Sequence, residues 1–212
     1  MEENKEKVQT DGAGLRSNEK KEEIKQEVRA FVRQKFSAKR LSLMAIFVAI
    51  SFAVSFIEIP IFPVAPFLKL DFGNVFILLI SFLLGPIEGT IVCVLKESLR
   101  MFGSSSGGVG ELANMLVTIC YLLIPSVVYQ YKKGLKGVCI TLSIACVIAT
   151  VVALLSNRFV NFPLYMGEGA AQAFQEFFWI IVAFNLIKTV SVSILTILLY
   201  KRLSNFLKKI RI

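Results

Sequence analysis

FFWIIVAFNLIKTVSVSILTILLY (177–200) is an almost unbroken apolar stretch with one lysine, Lys188, near its middle. About 20 such residues in a helix cross the hydrocarbon of a bilayer. A charged amine at that depth costs about 2.5–3.5 kcal/mol on insertion scales, so an intramembrane lysine is rare and usually functional. Asn185 lies three residues earlier, and residues at i and i+3 share one helix face. That face therefore calls for something polar opposite it.

Working outward, five further apolar segments run roughly over 41–57, 70–84, 86–102, 110–130 and 137–157. With 177–200 they predict an all-α integral membrane protein, a bundle of six transmembrane helices over 41–204. The second segment is short and ends in Gly85-Pro86, so it must lean on its neighbours. IEIPIFPVAPFLK (57–69) reads as a proline-rich, irregular connection. The connection 157–176 is long enough for a lid or a short interfacial helix. GSSSGGVG (103–110) reads as a loop or helix start rather than a phosphate cradle.

The charges are unevenly placed. Residues 1–40 hold 11 of the 24 Lys+Arg and 8 of the 15 Asp+Glu, leaving 13 basic and 7 acidic residues in the other 172. The segment 1–40 has no signal-peptide h-region and reads as a charged cytoplasmic tail, disordered or partly helical over 19–36. Residues 205–212 form a basic C-terminal tail. Arg33, Lys35, Lys39 and Arg40, then Lys132, Lys133 and Lys136, then Lys201, Arg202, Lys208, Lys209 and Arg211 fall on one side of the bundle. Only Lys69, Arg158 and Arg100 fall on the other. The positive-inside rule then puts both termini in the cytoplasm and the two irregular connections outside. The expected location is the bacterial plasma membrane, as a multi-pass protein, with the lipid bilayer and no nucleic acid as partner.

With that orientation, Glu58, Asp71, Asn74, Lys96, Glu97, Arg100, Glu111, Asn114, Asn157, Asn185 and Lys188 all belong to the outer half. Glu88 is the exception, and the inner halves read as almost wholly apolar. A channel or proton relay needs polar groups along its whole path, whereas a pocket collecting a solute needs them only at its mouth. The acidic and basic groups can also pair simply to hold helices together. Asn157, Asn185 and Lys188 fit that explanation least, having no obvious acidic partner. The absence of histidine removes the commonest general base and metal ligand. No P-loop is present. Cys93, Cys120, Cys139 and Cys146 lie in apolar runs without a CxxC pair and read as small buried hydrophobes. No catalytic residue, metal site or cofactor is expected. An enzyme acting on lipids would have to use Asp71, Glu97 and Glu111. On the first segment Ala45, Ala49 and Ala53 recur every four residues, a pattern that lets another helix approach closely, inside this bundle or from a partner.

FLKLDFGNV (67–75), LLGPIEG (83–89), GGVGELANM (107–115), NRFVNFPLY (157–165) and FNLIK (184–188), in this order, resemble the riboflavin-specific substrate-binding components of energy-coupling-factor transporters. The resemblance covers about 41–204. It implies a six-helix protein that binds the vitamin from outside and docks through its first helix on a membrane scaffold driven by two ATPase subunits. The resemblance gives the docking role to Ala45, Ala49 and Ala53. It places Asn157, Asn185 and Lys188 at the polar edge of the flavin ring. Glu111 and Asn114 suit the ribityl chain, and Phe67, Leu68 and Phe162 the apolar walls, with Tyr165 a wall or an interfacial belt residue. Two positions depart from the pattern: Asn74 stands where many relatives have an acidic residue, and Glu97 where they often have Asn. A component for a different vitamin is the nearest alternative.

Overall fold

The computed structural model describes residues 37–104, 107–132 and 134–209. The tail over 1–36, with its expected helix at 19–36, and residues 210–212 lie outside them. Two compact units divide the chain, one ending at Ser42 and one of Leu43–Ile212. In the first, Ser37 opens helix α1, its hydroxyl accepting the Arg40 N–H and its carbonyl the Leu41 N–H; a side-chain oxygen at this position satisfies one of a helix's orphan donors.

The elements follow as α1 (Ala38–Val54), β1 (Glu58–Pro60), β2 (Lys69–Asp71), α2 (Gly73–Leu83), α3 (Pro86–Met101), α4 (Val109–Tyr131) and α5 (Leu135–Ser156). A π-helical turn (Asn157–Asn161), α6 (Phe162–Met166) and a 3₁₀ turn (Gly167–Gly169) lead into α7 (Ala170–Lys209). Among the described residues, two helical stretches are long and apolar enough to cross a membrane by length and composition, Val109–Tyr131 and the continuous run Lys136–Tyr200. Since α5 and α7 pack side by side, that run reverses direction, at Gly167 with its φ of 55°.

Helix α2 has 11 residues and rises only about 16 Å at 1.5 Å per residue, too little to span about 30 Å of hydrocarbon. It compensates by burial: of its residues, Gly73–Val75 and Ile77–Phe82 are all buried. It packs against α3, α4 and α7, with Ile77, Leu78, Leu79 and Ile80 in the main core. Glycine admits two neighbours closely. A Cβ on Gly73 would run into the Ser51 carbonyl of α1, and one on Gly89 of α3 into Ser81. The Ser51 hydroxyl uses the first approach to donate to the Gly73 carbonyl at 2.8 Å.

Two expectations need correction. The connection 57–69 is not wholly irregular, because β1 and β2 pair antiparallel with Glu58 opposite Asp71 and Pro60 opposite Lys69. Three-residue strands are too short to show alternation, and Pro60 at the strand end costs no ladder bond. The bundle end remote from this hairpin is also more polar than expected. Ser126 donates to Ser81 at 2.7 Å, and Tyr129 and Tyr200 share a hydrogen bond. These are hydroxyls paired within the bundle, so they carry little of the cost that charge would. Of the four cysteines, Cys93 and Cys146 are buried and Cys120 is half-buried, while Cys139 is exposed on the outer face of α5.

Candidate functional site

A cavity of about 510 Å³ opens at the hairpin end of the bundle. Its walls come from loop 66–69, β2, the first turns of α4, the π turn, α6 and the middle of α7. Phe67, Leu68, Glu111, Asn114, Asn157, Phe162, Asn185 and Lys188, the residues singled out from the sequence for a pocket, all line it. Tyr165 lines it too. Ala45, Ala49 and Ala53 lie elsewhere, on an exposed face of α1 opposite buried Met44, Phe47, Val48 and Ser51.

One wall is apolar. Leu68 and Ala65 of the loop join Phe162, Ile181 and Phe184 in a second hydrophobic core, separate from that of the bundle. The Phe67 ring meets those of Phe162 and Phe177 edge-on, with centroids 6.1 and 5.5 Å apart, a favoured geometry for aromatic pairs. This small core holds the loop over the cavity. Glu58 holds the hairpin to α3 through an ion pair with Arg100, while Lys69 donates to the same carboxylate at 2.7 Å.

The floor is a polar network drawn from five elements. Lys96, fully buried, pairs with Asp71 and, at 2.7 Å, with Glu97. Asn114 donates to Glu97 at 2.5 Å and to Asp71 at 3.3 Å. Its oxygen accepts from Asn74 at 2.9 Å, Thr118 at 3.4 Å and Lys188 at 2.5 Å. Asn114 is thus occupied at both ends by protein, and it is the polar partner that the Lys188 face requires. The two departures from the resembled pattern, Asn74 and Glu97, meet at this one amide. One exchanges a carboxylate for an amide and the other the reverse, so the number of carboxylates in the network is unchanged. Removing one member of a buried ion pair strands the other and costs about 3–5 kcal/mol. Lys96→Met, which leaves Asp71 and Glu97 without their cation, is expected to lose roughly that much stability, read as a lower melting temperature in detergent.

Lys188 differs from Lys96. It is 8% exposed, lies 5.8 Å from the Phe184 ring centroid, and has no carboxylate within ion-pair distance among the described residues. Asn185 and Asn157 each donate one amide hydrogen to the carbonyl four residues back, Ile181 at 2.9 Å and Ala153 at 2.8 Å. Those bonds fix the side chains on their helices. They leave each amide a second N–H and an oxygen, since an amide offers two donors and two acceptor sites. All three side chains line the cavity, so two amides and one amine are available there to a solute.

Asn161 is the residue that sequence reading missed. It lines the same cavity, buried, from the last position of the π turn, where the Phe162 N–H reaches back to the Asn157 carbonyl. Its spacing of four from Asn157 was the available signal, hidden because 157–176 reads as a connection rather than a helix.

The family model "ECF transporter, substrate-specific component" matches residues 39–200. The chain is 40% identical over 177 residues to the riboflavin transporter RibU of Staphylococcus aureus, covering 81% of this chain and 94% of that one. It is 26% identical over 131 residues to the riboflavin transporter FmnP of Bacillus subtilis, covering 60% and 68%. Among solved structures, a chain described under "Structure and mechanism of the S component of a bacterial ECF transporter" superposes with a TM-score of 0.71 at 38% identity, covering 82% of this chain and 99% of that one. The chain belongs to the family of substrate-specific components of ECF transporters.

Proposed function

We propose that this chain is the riboflavin-binding membrane subunit of an energy-coupling-factor transporter, taking the vitamin from outside and releasing it inside when a partner module hydrolyses ATP. It is a transport component, not an enzyme, and riboflavin is its cargo rather than a cofactor. In this reading α1–α5 and α7 are six crossings of the plasma membrane, with both termini cytoplasmic and the hairpin end outward, as the basic flanks suggest.

The observation that carries the reading is a cavity lined both by Asn157, Asn185 and Lys188, an amine with no carboxylate partner among the described residues, and by the aromatic rings of Phe67 and Phe162. A flavin ring offers a flat aromatic face together with an imide edge of alternating acceptors and a donor. Amide side chains complement that edge, and the amine serves a ring oxygen or nitrogen. The volume falls inside the range of roughly 300–1,000 Å³ common for small-molecule pockets. The names of the relatives in Staphylococcus aureus and Bacillus subtilis support the same cargo. Phe67, Leu68 and Phe162 supply the wall, and Glu111 faces the ribityl chain. Asn114, occupied by the protein, acts mainly by holding Lys188 in place.

The exposed alanine row of α1 is the docking face for the membrane scaffold of the partner module, which carries two ATPase subunits. Uptake of labelled riboflavin into cells that lack their own riboflavin carrier tests the division of labour. Uptake is expected only when this chain and the coupling module are expressed together. Uptake by this chain alone would identify a self-sufficient carrier and contradict the reading.

A further inference from the structure

The π turn between α5 and α6 carries two cavity-lining amides, and only one of them is held by protein. Asn157 is tied to the Ala153 carbonyl. The side chain of Asn161, a residue 5% exposed, makes no hydrogen bond among the described residues, and its Oδ1 is wholly buried without a partner there. Turning the amide over would strand the NH₂ instead. Buried side-chain polar groups are nearly always satisfied, and each exception needs an explanation. The Oδ1 itself has no access to the cavity, but the Nδ2 of this cavity-lining residue also has no protein partner among the described residues, and it is the atom of the amide that a solute in the cavity can meet. The backbone points the same way, since single π turns within helices are rare and occur frequently at functional sites. This one widens the helix by a residue where Asn157 and Asn161 meet the cavity.

We infer that Asn161 is a further solute-binding residue, its Nδ2–H donating to an acceptor on the cargo, a ring carbonyl or ring nitrogen in the flavin reading on which this inference rests. It extends the amide edge by one group along α5 toward α6. Its role differs from that of Asn114, which the protein already occupies. A residue that only shaped the fold would be expected to hold a protein partner.

The test compares wild type, Asn161→Leu and Asn161→Ala as full-length proteins in detergent, by quenching of riboflavin fluorescence and by melting without ligand. Both substitutions remove an unpartnered polar group, and leucine keeps the same branching and number of heavy atoms. Riboflavin affinity is expected to fall roughly fivefold to tenfold, the scale of one lost hydrogen bond, while the ligand-free melting temperature stays the same or rises. Equal affinity in wild type and both variants would overturn the inference and leave the flavin reading standing. Weaker affinity in both variants accompanied by a lower melting temperature would also overturn it, since that pattern marks a structural role. A wild type that leaves riboflavin fluorescence unchanged would overturn the flavin reading and this inference with it.

Discussion

Lys188→Ala is expected to lower riboflavin affinity by roughly 100-fold, the upper range for a lost hydrogen bond to a charged group, without lowering expression or melting temperature. The two halves of that result come from one observation. Lys188 is buried, and among the described residues its amine donates to the Asn114 oxygen alone, which also accepts from Asn74 and Thr118. Removing the amine therefore leaves Asn114 satisfied and strands no carboxylate. It also removes a charge whose placement at membrane depth costs about 2.5–3.5 kcal/mol. Lys96→Met, one helix away, is expected to do the opposite, because Lys96 is paired with Asp71 and Glu97. Fluorescence titration and thermal melting of the two variants side by side separate a cargo-facing amine from a structural one. Should Lys188→Ala unfold the protein while Lys96→Met does not, the roles assigned to the two amines would be reversed.

Ala49→Leu is expected to leave riboflavin binding unchanged and to reduce uptake by at least about tenfold, because a helix pair in lipid owes its association to close backbone approach across small residues. Ala49 is exposed on α1, on the face opposite the packed Met44, Phe47, Val48 and Ser51, and it does not line the cavity. The leucine side chain would stand out from the bundle, where the described residues offer nothing for it to strike. Binding is read on the purified protein and uptake in cells that also express the coupling module. Loss of folding in this variant would place the alanine row inside the bundle's own packing and remove its docking role.

The parts of the site that could be read from sequence are those set by one helix at a time. Asn185 and Lys188 at i, i+3 within an apolar run already placed an amide and an amine on one face. The bias of ionisable groups toward one end pointed to a pocket and not a channel, although Ser81, Ser126, Tyr129 and Tyr200 make the other end less apolar than expected. Hydroxyls that pair within the bundle leave little trace in a tally of charges and amides.

What escaped was non-local or too short. Lys188 and Asn114 are 74 positions apart, and nothing in either segment announces that they meet. The β1–β2 hairpin has three residues a side, below the length at which alternation is visible, and its prolines argued for a loop. The π turn, where the Phe162 N–H reaches back to the Asn157 carbonyl, leaves no signature in the sequence, and Asn161 at its last position lines the cavity. The departures at Asn74 and Glu97 looked independent in sequence, whereas in space both bond the same amide.

Titration of riboflavin with the purified wild-type protein in detergent, followed by flavin fluorescence, is the most direct test of whether the cavity at the hairpin end takes a flavin. The expected result is saturable quenching that ends at one riboflavin per chain, as binding in the cavity lined by Asn157, Asn185 and Lys188 requires. Fluorescence that stays unquenched at a several-fold excess of folded protein would contradict the assignment of riboflavin as cargo.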